Sequence, residues 1–122
     1  MTQSIRPKRG EIWRVQLEPI RGSEQGKTRP VVILSEKGAG RPTVKLCAPI
    51  VNAKPEHGLF YWCTVMAPDE KNGLTKDSTA DASQTRALDT VRFEARLGSV
   101  TDVEIELIAN ALVQCVKQPQ KP

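Results

Sequence analysis

Residues 30 to 36, Pro-Val-Val-Ile-Leu-Ser-Glu, constrain this chain more than any other stretch. The run is short, β-branched and apolar, which predicts a buried central strand. Pro30 helps start it, because the residue before a proline is pushed out of the helical region. The preceding run "EIWRVQL" alternates, with Trp13, Val15 and Leu17 on one side and Ile12, Arg14 and Gln16 on the other. That is the period of a half-buried strand, and Pro19 ends it. Further strand-like runs are "TVKLCAPIV" at 43 to 51, "FYWCTVMAP" at 60 to 68 and "TADASQTRALD" at 79 to 89. Turn signals separate them: "GAGRP", the polar loop "NAKPEHGL", and "DEKNGLTKDS" with its Asn-Gly pair. Residues 90 to 100 fit neither period cleanly, and a short helix is one reading of them.

The C-terminal segment is plainer. Thr101 followed by Glu104 forms a capping box. Ile105, Ile108, Leu112 and Cys115 recur at helical spacing, with Leu107, Ala111 and Val116 widening the stripe. A helix over 102 to 117 follows. Short connections make the strands mainly antiparallel. The expected fold is therefore mainly β: a compact, strongly bent barrel or small sheet packed by a terminal amphipathic helix. The chain of 122 residues reads as one domain, with residues 1 to 8 and 118 to 122 as loose tails.

Composition narrows the class. No apolar run approaches the roughly 20 residues of a membrane helix, and "MTQSIRPKRG" lacks the apolar core of a secretory signal. A cytoplasmic location is expected. Cys47, Cys63 and Cys115 are odd in number and widely spaced, which argues against a disulfide framework or a zinc knuckle and for three small core residues. Residues 1 to 54 hold eleven Lys/Arg against four Glu, a net of +7, whereas residues 55 to 122 net −3. Such asymmetry suggests a basic face for a polyanion.

Several chemistries are missing. The single histidine, His57, lies in a polar loop and reads as a solvated residue, so no histidine pair exists within one chain. There is no nucleophile elbow and no phosphate-binding loop of the Gly-Lys-Ser/Thr kind. Asp69, Glu70, Asp77 and Asp81 surround a turn, but their spacing fits no Ca²⁺ loop, so no metal site is expected. What remains is "RGSEQGKTRP" at 21 to 30, a connection crowded with Ser23, Glu24, Gln25, Lys27, Thr28 and Arg29 and punctuated by Gly22 and Gly26. Arg29, followed by proline and anchored by a buried strand, is suited to present a rigid fork to phosphate. Glu24 is placed to orient that fork or act as a base, and Gln25 to read a base edge. The plain alternative is a surface loop with a Glu–Arg pair worth little.

The chain resembles the MazF/PemK toxins. The resemblance rests on "RGEIW" at 9 to 13, "EP" at 18 to 19, "GSEQGKTRPVVIL" at 22 to 34, "APIV" at 48 to 51, "KDS" at 76 to 78 and the spaced "Q-x-R-x-L-D" at 84 to 89. It implies a small curved SH3-like β-barrel with short helices, acting as a homodimer. It also implies metal-independent, sequence-specific cleavage of single-stranded RNA through the RNA's own 2′-hydroxyl, with no cofactor. The family's catalytic arginine falls on Arg29 and its loop glutamate on Glu24. RNA contacts are expected at Ser23, Gln25, Lys27, Asn52, Ser78, Gln84 and Arg86. An acidic, partly disordered antitoxin segment would occupy the same groove.

One departure stands out. Many relatives carry a threonine where this chain has Val51, which cannot hydrogen-bond a phosphate. Asn52, or a hydroxyl from Ser78 or Thr79, would have to substitute, or the chain is a weak or inactive RNA- or antitoxin-binding module. A third option, a toxin of this fold acting on a protein such as DNA gyrase, sits poorly with the complete Gly-Ser-Glu-Gln…Arg-Pro signature.

Overall fold

The computed structural model describes residues 6–17 and 27–117. Among them are seven strands: β1 (Glu11–Gln16), β2 (Thr28–Ile33), β3 (Val44–Asn52), β4 (Cys63–Met66), β5 (Ser78–Asp81), β6 (Arg86–Asp89) and β7 (Phe93–Ser99). One helix, α1 (Asp102–Val116), follows them. Every strand pairing is antiparallel. The order is β4-β5-β3-β2-β1-β7, with β6 also on β3. The outer strands β4 and β7 do not pair with each other, so the sheet is bent but open rather than a closed barrel.

The apolar run reads as expected because β2 is covered on both faces. Val32 and Leu34 join Ile12, Ala48, Ile50, Met66 and Ala80 under Ile105 and Ile108 of α1. Val31 and Ile33 face the other way, into a second core with Val15, Cys47, Leu88 and Phe93, flanked by Trp13 and Leu17. The two-sided reading of β1 also holds: Ile12 enters the first core, and Trp13, Val15 and Leu17 the second. Cys47 is fully buried there, and burial pushes its thiol up to about 12, against the opposing pull of Lys45. Cys63 and Cys115 are only partly buried.

Three expected runs need correction. The run 79 to 89 is not one strand. A 3₁₀ turn at Ala82–Gln84 breaks it into β5 and β6, which follow one another along the same edge of β3. Residues 90 to 100 are not helical beyond a 3₁₀ turn at Thr90–Arg92; they form β7. That strand pairs with β1 through two register irregularities, and its charges meet partners across the pair: Arg14 to Glu94 at 3.3 Å and Arg96 to Glu11 at 3.0 Å. The fourth run also shortens, since residues 60 to 62 precede β4 as a packed aromatic group, Phe60 and Trp62 stacked at 4.6 Å.

The helix begins where the capping box places it. Thr101 Oγ1 accepts the Glu104 N–H at 3.1 Å, and Glu104 Oε1 accepts the Thr101 N–H at 2.8 Å. Ile105, Ile108 and Ala111 are buried, but Leu107 and Val116 are exposed, so the apolar stripe is narrower than its spacing suggests.

The Asn-Gly turn is a structural part. Asn72 is fully buried; its Oδ1 accepts from the N–H groups of Asp69 and Leu74 at 3.0 Å each, and its Nδ2 donates to Ala67 O at 2.8 Å. Asp69 Oδ1 in turn accepts the N–H groups of Lys71 and Asn72 at 2.7 Å. Gly73 has φ +68, and a Cβ there would collide with the Leu97 carbonyl; one on Gly98 would collide with the Lys71 carbonyl. The turn is thus seated backbone to backbone on β7.

Asn72→Ala removes the side-chain partner of three partly buried backbone groups and is expected to cost about 2 kcal/mol in urea unfolding. Thr101→Ala removes one cap and is expected to cost about 1 kcal/mol in the same assay. Alkylation at neutral pH is expected to spare Cys47 in the native protein and modify it only on unfolding, read by mass spectrometry of digested peptides.

Candidate active site

The connection from β1 to β2 is closed at its neck by the Leu17 N–H donating to Lys27 O at 3.0 Å. Ser23, Glu24 and Gln25 lie outside the described residues. Beyond the neck, Lys27 and the first residues of β2, Thr28 and Arg29, run out past the covered part of the sheet, where all three are exposed. Arg29 pairs with Val15 across β1 and β2. No ion pair among the described residues uses its guanidinium.

Two depressions meet at Arg29 and Val51. The larger, about 440 Å³, runs over the ends of β2 and β3: Lys27, Thr28 and Arg29 line one side, Val51 and Asn52 the middle, and Thr75, Lys76 and Ser78 the other side. The smaller, about 220 Å³, has an apolar floor of Leu17, Val31, Cys47, Pro49 and Leu88, with Arg29, Gln84 and Arg86 at its polar margin. Four cations, Lys27, Arg29, Lys76 and Arg86, line the pair, and no Asp or Glu among the described residues does. A concave surface of one sign raises the local concentration of its counter-charge.

The expected contacts that fall among the described residues thus gather in one place. Lys27, Asn52 and Ser78 share the larger depression with Arg29, and Gln84 and Arg86 share the smaller one with it. The fold explains why. β5 and β6 lie along one edge of β3 and β2 along the other, so the Ala82–Gln84 turn and the start of β2 flank the same strand. Sequence reading gave Thr28 no role and overlooked Thr75 and Lys76. The signal for Lys76 was its place two residues before Ser78 in "KDS", a loop position whose side chain had no assigned direction.

Of the two hydroxyls considered as substitutes near Val51, only one reaches the groove. Thr79 is the direct cross-strand partner of Val51, but it is fully buried. Its Oγ1 lies 2.7 Å from His57 Nδ1. Ser78 lines the groove, although its hydroxyl donates to Lys76 O at 2.9 Å. His57 is consequently not a solvated loop residue. It belongs to a 3₁₀ turn, Pro55–Leu59, is partly buried, and its Nδ1 accepts the Lys54 N–H at 3.1 Å.

Two of the four acids around the turn have structural duties: Asp69 caps the Asn72 turn, and Asp81 Oδ1 accepts from Ser83 N–H and Oγ at 3.0 and 2.6 Å. Among the described residues no cluster of three or more His, Cys, Asp or Glu is arranged to hold a metal. No described helix is long and apolar enough to cross a membrane.

Comparison with known proteins identifies the fold and the family. The family model of the PemK-like, MazF-like toxin of type II toxin-antitoxin systems matches residues 8–116. The endoribonuclease MazF9 of Mycobacterium tuberculosis is 32% identical over 108 residues, covering 86% of this chain and 92% of that protein. The endoribonuclease MazF of Staphylococcus saprophyticus is 34% identical over 111 residues, covering 86% and 87%. Among solved structures, MazE-MazF of Deinococcus radiodurans superposes with a TM-score of 0.74 at 20% identity, over 95% of this chain and 100% of that one. A mycobacterial endoribonuclease in complex with its cognate antitoxin gives 0.71 at 20% identity, over 94% and 99%. The fold, the family match over nearly the whole chain and the two relatives at a third identity lead to one conclusion: this chain belongs to the PemK/MazF family of type II toxin-antitoxin toxins.

Proposed function

We propose that this toxin is an endoribonuclease that cuts single-stranded RNA, mRNA among its targets, without a metal ion. The single observation carrying this reading is Arg29, an exposed cation at the junction of two depressions whose charged lining residues, among those described, are all cations. In the proposed step the 2′-oxygen attacks the adjacent phosphorus as its proton passes to a base. The bond from phosphorus to the 5′-oxygen breaks, and that oxygen takes a proton as it leaves. The products are a 2′,3′-cyclic phosphate and a 5′-hydroxyl. Negative charge grows on the phosphoryl oxygens, where a preorganised guanidinium is most effective. Arginine remains protonated at ordinary pH and is a poor base, so Arg29 is assigned the clamp and Glu24 the base. Lys27, Lys76 and Arg86 supply the field that draws in the polyanion, and Ser23, Gln25, Asn52, Ser78, Gln84 and Arg86 contact the strand. The acting unit is a cytoplasmic homodimer, and an acidic antitoxin segment competes with RNA for the cationic groove.

A second reading has its own observation. Val51 has no hydroxyl, and the groove hydroxyl of Ser78 already donates to the Lys76 carbonyl. On that reading the chain binds RNA or antitoxin and turns over weakly or not at all.

Purified protein incubated with a long, weakly structured RNA in excess EDTA is expected to yield discrete fragments ending in cyclic phosphate. Arg29→Ala is expected to lower kcat/KM by about 100- to 1,000-fold. Intact RNA over hours at high protein concentration would select the binding module instead. Val51→Thr discriminates further: a gain of about tenfold, the worth of one added hydrogen bond, would mark this chain as a weakened enzyme. Glu24→Gln is expected to remove the acidic limb of the pH–rate profile; an unchanged profile would exclude Glu24 as the base.

A further inference from the structure

We propose that His57 is a further substrate-binding residue of this site, donating from Nε2 to the nucleotide next to the one clamped by Arg29. The inference rests on the ribonucleic-acid reading above. Directly opposed residues of an antiparallel pair project from the same face of the sheet. Val51 opposes Thr79 and lines both depressions, so Thr79 projects from the grooved face too. On β2, Val31 opposes Pro49, and continuing that register sets Arg29 across from Val51. Arg29, Val51 and Thr79 therefore form one row across three strands, about 10 Å from end to end at the usual strand spacing. His57 covers the far end of that row, with Nδ1 2.7 Å from Thr79 Oγ1.

The ring is fixed in a useful state. A backbone N–H can only donate, so the Lys54 N–H at 3.1 Å makes Nδ1 an acceptor. The ring proton then belongs on Nε2. No partner for Nε2 is found among the described residues, and the side chain is only partly buried. A strand whose scissile phosphate sits at Arg29 and which crosses apolar Val51 meets this N–H one nucleotide further along. The polar contact absent at Val51 is thus supplied one strand away, to a neighbouring acceptor oxygen rather than to the reacting one.

His57→Asn separates contact from scaffolding. Its Oδ1 stands near the position of Nδ1 and keeps an acceptor for Lys54 and Thr79, whereas the Nε2 donor is lost. The probe is a short fluorescein-labelled 2′-O-methyl RNA of randomised sequence, which binds but cannot be cut through its 2′-oxygen. Affinity is expected to fall about tenfold, with KM on cleavable RNA rising and kcat and the thermal midpoint nearly unchanged. In wild-type protein the ¹⁵N resonance of His57 Nε2 is expected to shift on adding the probe, which tests the contact even where the variant folds poorly. Wild-type affinity in His57→Asn with a reduced affinity in His57→Ala would make His57 a scaffold only and overturn the proposal, as would a static Nε2 resonance. Cleavage with no effect of His57→Asn sinks this inference alone. Absent cleavage with weakened probe binding sinks the ribonuclease reading alone, and absent binding by wild type sinks both.

Discussion

Strand β3 pairs with three other strands at once, and the site follows from that pairing. Along one edge it takes β2; along the other it takes β5 near its end and β6 near its start. Its own residues alternate between two cores, Ala48 and Ile50 toward the helix and Cys47 toward the opposite face. A slip of one residue would exchange those faces, exposing one core and burying charge in the other. The register is therefore held by hydrophobic burial on two sides. The same register brings the start of β2 and the Ala82–Gln84 turn to a common groove.

The cationic groove depends on where carboxylates are kept. Several of the acids are occupied elsewhere: Glu36 and Glu106 with Arg9 at 3.2 and 3.0 Å, Glu94 with Arg14, and Glu11 with Arg96. Arg9 also donates to Leu34 O and pairs with Glu106, which ties the chain just beyond β2 to α1. These exposed pairs add little stability singly. Their arrangement nonetheless leaves Lys27, Arg29, Lys76 and Arg86 with no acid lining the groove among the described residues. Arg92 donates to the carbonyls of Gln16 and Leu17 at 3.2 and 3.4 Å, holding the end of β1 at the neck of the Arg29 connection.

Much of this was legible in the sequence because the relevant signals are local. The apolar run, the alternation of β1, the capping box and the Asn-Gly turn each lie within a few residues, and each formed as read. β7 was not legible. Its Glu94 and Arg96 look like solvated helix charges until their partners on β1 are known. The break between β5 and β6 was hidden for the same reason, since a turn inside a polar run is decided by the strand beside it. At the site, Arg29 stood out through its proline and its anchoring strand. The His57–Thr79 contact spans 22 residues and is fixed by register alone, so nothing near His57 announced it.

The seat of the Asn72 turn on β7 also shapes how this family member can vary. At Gly73 and Gly98 two backbones touch with no room for even a methyl group. Drift at either position is closed off, and the groove wall that follows, from Thr75 to Ser78, starts from an immovable base. Diversity in that wall is thereby channelled into its side chains rather than its path. A chain built this way can change the chemistry of its groove wall by single substitutions at positions 75 and 76, while the distance from that wall to Arg29 is inherited unchanged.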